Sequence, residues 1–153
     1  MYPRASLANP GVLDSLLERT NALTPASARQ WGRMTPHQAI CHLSDSLLVV
    51  MGERPTDSRE TFLSRTVIKL IALHSPLPWP KGVPTGKAVD AEADGTKPGD
   101  FEADRQRLLA LLRRFATPGT RRASHPIFGP LTESEWMMWG FGHQDHHLRQ
   151  FGC

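Results

Sequence analysis

Two cysteines in 153 residues, Cys41 inside a helical pattern and Cys153 at the last position, are too few for a disulfide framework. Both read as reduced thiols. Cys41 lies about 100° around its helix from His42 and reads as a small core residue rather than a ligand. No apolar run approaches the roughly 20 residues of a membrane span, and Met1-Tyr2-Pro3-Arg4-Ala5-Ser6 lacks the hydrophobic stretch of a signal peptide. A cytoplasmic location with no membrane partner is therefore expected. There is no alternating strand pattern and no internal repeat. Without a His-Glu-x-x-His motif, a phosphate loop or a serine-nucleophile motif, protease, nucleotide-binding and serine-hydrolase readings have no support. Neither sign of charge dominates, with 18 Lys and Arg against 15 Asp and Glu. Arg113, Arg114, Arg121 and Arg122 are the densest basic positions, but they straddle a helix end and a Thr-Pro-Gly-Thr loop. They read as a solvated helix terminus, and nucleic acid is not an expected partner.

What is there is helical. With 39% hydrophobic and 22% charged residues the chain has the composition of a soluble globular protein, and its length suits one domain over residues 1–153. After Pro10-Gly11, apolar residues recur at helical spacing from Val12 to Arg19, and Thr24-Pro25 ends that pattern. Thr35-Pro36-His37-Gln38 is a capping-box arrangement with proline at the first helical position. The helix it opens carries a stripe of Ile40, Leu43, Leu47, Leu48, Val50 and Met51, ending near Gly52 and Pro55. Residues 59–73 give a third helical signal, more apolar than the others, that suits either core or a dimer face. Residues 75–100 gather Pro76, Pro78, Pro80, Pro84 and Pro98 with Gly82, Gly86, Gly95 and Gly99. So long an irregular loop inside a domain is either a lid over a site or a disordered excursion. An acidic first turn from Asp100 opens a leucine-rich helix, and Thr132 with Glu135 repeats the capping logic for a last helix that runs nearly to the C-terminus. The expected fold is all-α: an up-and-down bundle of about four helices, with an additional short helix and the long Pro/Gly-rich loop.

Three of the seven histidines fall within five residues of the last helix. His143 and His147, four apart, project from one face with Cβ atoms about 5–6 Å apart, close enough for both rings to reach one metal ion. His143 and His146, three apart, are the alternative pair. The best third donor is His42, midway along the second helix. A lone histidine there would more often be a core residue bonded to a carbonyl, but the facing pair reverses that preference. His37, His74 and His125 are weaker candidates, and His125 suits a pocket wall. Asp45, three residues after His42, suits either a partner for a ligand imidazole or bound water, or a plain surface carboxylate. Three neutral imidazoles leave a divalent ion its full charge and an open position, the arrangement of a Lewis acid able to activate a water or a thiol. Trp136 and Trp139 make the approach to this site aromatic, as core packing or as a wall for an organic substrate.

Thr35 to Asp45, the run His125-Pro126-Ile127-Phe128-Gly129, and the closing His143-x-x-x-His147 with Gln150-Phe151 resemble the DinB/YfiT-like metalloenzymes, in a branch of unknown function. The resemblance spans residues 11–152. It implies a four-helix bundle, often dimeric, with His42, His143 and His147 binding a divalent ion, commonly nickel or zinc. It also implies a small-molecule substrate, since characterised members transfer thiol cofactors such as bacillithiol or mycothiol or isomerise their adducts. Where members often show His-Arg-Gly-Gln after the last ligand, this chain has His147-Leu148-Arg149-Gln150. The long Pro/Gly loop is a second departure.

Overall fold

Local sequence starts most of the helices. The Gln38 N–H donates to the Thr35 hydroxyl while the Thr35 N–H donates to the Gln38 side chain, and Pro36 occupies the first turn of helix α2, Pro36–Val50. Thr132 and Glu135 form the same reciprocal pair at the start of α5, Glu133–Arg149. Asp100 caps α4, Phe101–Ala116, by accepting the Ala103 N–H at 2.8 Å. Helix α1, Val12–Ala22, begins after Gly11 in the left-handed region. The computed structural model describes residues 5–153, so Met1 to Arg4, part of the stretch read for a leader, lie outside the described residues. Among the described residues there are five α-helices and no strand, with one isolated bridge between His125 and Gly129. None of these helices is long and apolar enough to cross a membrane.

Helix α2 packs against α4, and α1 against both α4 and α5. Between them lies one continuous core in which Leu16, Leu43, Leu47, Leu108, Leu112, Phe115 and Leu148 are almost fully buried. Truncating Phe115 to alanine should cost about 3–5 kcal/mol. The core explains a glycine in mid-α5. A Cβ at Gly140 would come within 2.6 Å of Leu7 and 2.7 Å of Phe115, so the helix forgoes about 1 kcal/mol of propensity to let both side chains approach.

Two expectations change. The stripe read along α2 is too narrow, because Ala39, Cys41, His42, Ser44, Asp45, Ser46 and Val49 are buried as well. The polar face that a stripe implies is covered by a short 3-10 turn, Lys87–Val89, packed against α2. The segment read as core or dimer face is not core. It forms a π-helical stretch, Ser64–Ile68, running into α3, Lys69–His74, and only Ser64 and Leu73 within these are buried. Phe62 is 85% exposed and Leu70 60%. Helix α3 lies on α5 from outside, and Leu73 alone of its residues is buried in the core.

Residues 75–100 carry no α-helix but are tied to the helices by buried polar bonds. The Asp45 carboxylate accepts the Thr96 N–H and hydroxyl, each at 2.7 Å, and sits 3.3 Å from Arg54. Arg54 in turn donates to the carbonyls of Ala88 and Asp94. The bonds satisfy groups that α2 would otherwise bury unpaired.

Candidate metal centre

Helix α2 supplies His42 and the facing turns of α5 supply His143 and His147. One ring nitrogen of each lies within 4.8 Å of the other two. The Nε2 atoms of His42 and His143 are 3.2 Å apart. Two imidazole nitrogens bound tetrahedrally at about 2.0 Å from one zinc ion stand about 3.3 Å apart, so this separation suits a shared ion. Two lone pairs at that distance repel, and the pair demands a proton or a cation between them.

The outer nitrogens show which way the lone pairs point. His42 Nδ1–H donates to the Val89 carbonyl at 2.9 Å, leaving Nε2 bare toward the cluster. His147 Nδ1–H donates to Gln150 Oε1 at 3.1 Å, and the Gln150 amide is itself fixed by donating to the Trp31 carbonyl at 2.9 Å. Such outer partners set the tautomer and orientation of metal-binding imidazoles. His143 is held differently: its Nδ1 is buried without a hydrogen-bond partner, and its ring stacks on Trp139 with centroids 5.1 Å apart and planes 19° from parallel. Burial pushes the pKa of all three rings below the usual histidine value, and the crowding of imidazoles, which resists adding a proton to any one of them, deepens the depression. At neutral pH all three are uncharged donors. The donor set, its convergence and the tautomers fixed at His42 and His147 fit a divalent cation.

The other residues singled out from sequence are placed elsewhere. Asp45 bonds to Thr96 and Arg54 rather than to an imidazole, and its negative charge also acts on His42, opposing the effect of burial. His146 lies outside the three-donor cluster, its ring against Trp31, Trp79 and His147. His125 is buried, accepts the Ile127 and Phe128 N–H groups at Nδ1, and stacks on Phe128; burial drives its pKa down to about 3. It lines the cavity over the cluster. His74 is half-exposed beside Glu135. Of the basic positions, Arg114 pairs with Glu53 and Arg122 with Glu133, so both serve the fold.

A second group, His37, Cys41 and Asp104, also brings three donor atoms within 4.8 Å. Cys41 is buried, as its reading as a small core residue expects, and its sulfur also joins this group. The signal was the four-residue spacing of His37 and Cys41 on α2; the partner Asp104 comes from α4 and has no local signal. Here the groups satisfy one another: His37 Nε2 lies 2.7 Å from Asp104 Oδ2, which also accepts the Gly99 N–H. Burial, and then the charge of Asp104, push the Cys41 thiol up to about 12.

The three imidazoles open into a cavity of about 900 Å³. Trp79 and Trp139 both lie beside the His143 ring, at centroid distances of 6.1 and 5.1 Å. Exposed apolar residues of the third helical segment and the loop, Ile68, Ile71, Leu77 and Val83, lie on its walls. The Gln150 amide and the Val89 turn face it as well, so the groups that orient the imidazoles also bound the space in front of them.

A family model described as a protein of unknown function (DUF1569) matches residues 5–152. No curated protein and no solved structure matches the chain.

Proposed function

From the premise that the chain belongs to the DUF1569 family of unknown function, we propose that it is a metal-dependent enzyme of thiol-transferase or hydrolase type. In this reading His42, His143 and His147 hold zinc or nickel. The observation that carries it is the convergence of three neutral, pre-oriented imidazole nitrogens beside a large, largely apolar cavity. We further place the chain among the DinB/YfiT-like proteins, as one domain over residues 1–153. In that reading α1, α2, α4 and α5 form the up-and-down four-helix bundle and α3 is the additional short helix. The exposed Phe62, Leu63, Val67 and Leu70 supply an apolar face for a homodimer. The substrate is a small molecule, met in the cytoplasm, and neither nucleic acid nor membrane is a partner.

A divalent ion held by three neutral ligands supplies Lewis acidity, enough to activate a water or a thiol near neutral pH. The chain's own residues do the rest. Val89 and Gln150 fix which nitrogen of His42 and of His147 faces the site. Trp139 holds the His143 ring by stacking, and Trp79 adds a second indole beside it that excludes water from that flank. Asp45 and Arg54 keep the covering segment in place.

Cobalt-substituted protein tests this reading. Its visible spectrum should change when 2-mercaptoethanol is added, because an open position admits the thiolate. A spectrum indifferent to thiol would mean a closed metal shell and leave a non-catalytic metal-holding module.

A further inference from the structure

The cavity over the imidazoles has a charge bias that the metal reading does not require. Among the described residues no aspartate or glutamate lines it, while two arginines do. Arg33 is engaged by Asp90 and Glu92. Arg59 is not engaged. Its backbone N–H donates to the Pro126 carbonyl at 2.7 Å, which anchors it beside the turn that carries His125. Its guanidinium lies against Gly86, so near that a Cβ there would come within 3.1 Å of it. Among the described residues no hydrogen bond or ion pair uses that guanidinium. The neighbouring Glu60 faces Arg65 instead. Apolar and aromatic side chains, Ile71, Leu77, Trp79, Val83, Phe128 and Trp139 among them, make up most of the remaining walls, with Ser46, Thr56 and Thr85 adding hydroxyls.

We propose that the ligand of this cavity is an apolar organic anion, whose carboxylate or similar acidic group is received by Arg59 and whose hydrocarbon or aromatic body lies against Trp79 and its apolar neighbours. This deepens the proposed function and rests on its placing the reacting centre at the three histidines. A cationic ligand would meet Arg59 and a divalent ion with no carboxylate to offset either. A polyhydroxylated ligand would find Ser46, Thr56, Thr85 and Gln150 for some of its hydroxyls and leave the others unpaired against the apolar majority of the walls. An anion with an apolar body satisfies the planar guanidinium and the walls together.

The test is calorimetric titration of the full chain with three probes of one shape: naphthalene-2-carboxylate, naphthalene-2-carboxamide and 2-naphthylmethylammonium. Each is run on zinc-loaded and on chelator-stripped protein. The carboxylate should bind about tenfold more tightly than the amide in both forms, the size of one charge-assisted hydrogen-bonded contact. Arg59→Met should erase that ratio, Arg59→Glu should turn the preference toward the ammonium probe, and Arg113→Met, the same charge change on the exposed side of α4, should leave it intact. The guanidinium makes no internal bond, so these Arg59 variants should melt with the wild type. Equal binding of carboxylate and amide, a preference that survives Arg59→Met, or no binding of any probe at millimolar concentration overturns the proposal, whatever the metal content. An Arg59-dependent preference in protein that retains no metal would keep it and sink the metal reading instead.

Discussion

Helix α2 presents two groups of three donors on different faces, and they differ in what they lack. Toward α5, His42 meets His143 and His147: three neutral rings with no carboxylate among them, their outer nitrogens committed to Val89 and Gln150 or buried without a partner. Toward α4, His37 and Cys41 meet Asp104, where imidazole and carboxylate already satisfy each other at 2.7 Å and the thiol keeps its proton. Both groups pass the same test of proximity. In the second the carboxylate already answers the imidazole, whereas the first holds only neutral rings whose facing Nε2 atoms need a shared proton or a cation between them, and that difference, rather than closeness alone, favours the first as the metal centre.

The contrast can be broken first by removing a ligand from each group. His147→Ala should weaken zinc binding by more than about 100-fold, beyond what loss of an outer partner costs, while Cys41→Ala leaves it unchanged in a chelator competition. Equal losses in the two variants would erase the distinction.

Acid separates the groups next. The folded pKa of His125, about 3, lies below its unfolded value near 6.5, so its contribution is complete above pH 6.5 and is lost as the pH falls toward 3. His42, His143 and His147 are depressed in the same direction. Metal-free protein should therefore lose about 2 kcal/mol by pH 5 from His125 alone, read by urea melts. Asp104, also depressed but from a carboxylate's lower starting value, adds its loss only at more acidic pH. A flat stability profile from pH 7 to 5 would contradict this.

Smaller effects sharpen the comparison. Gln150→Leu, which frees the outer nitrogen of His147, should weaken zinc binding about tenfold with little change in melting. Asp104→Asn should do the reverse, lowering stability by about 1 kcal/mol and sparing zinc affinity, because the pair it breaks is half-buried and structural.

Much of this was legible along the chain wherever the signal is local. The two capping boxes at Thr35 and Thr132 mark the starts of the helices that carry all three histidines, and the four-residue spacing of His143 and His147 sets their common face. His42 was found from its place on an apolar stripe. What was hidden depends on contacts between distant segments. Val89 lies 47 residues from the ring it orients, and nothing near it in sequence announces a partner. The burial of α2 on all sides follows from a proline-rich segment folding over it, which periodicity within α2 does not encode. Of the two readings of the third helical segment the core one fails, because an apolar helix looks alike in sequence whether it fills a core or walls a cavity. Gln150, three residues after His147 on one helical face, was within reach of the spacing argument that found the histidine pair. Asp104 was not, since only the packing of α4 on α2 brings it to His37.

The central claim is tested most directly by elemental analysis of untagged protein, wild type beside His42→Ala and His37→Ala, after dialysis against metal-free buffer. The account predicts near one equivalent of a divalent metal in the wild type and in His37→Ala, and none in His42→Ala. Metal absent from all three even after zinc or nickel is added, or retained in His42→Ala and lost in His37→Ala, would contradict it.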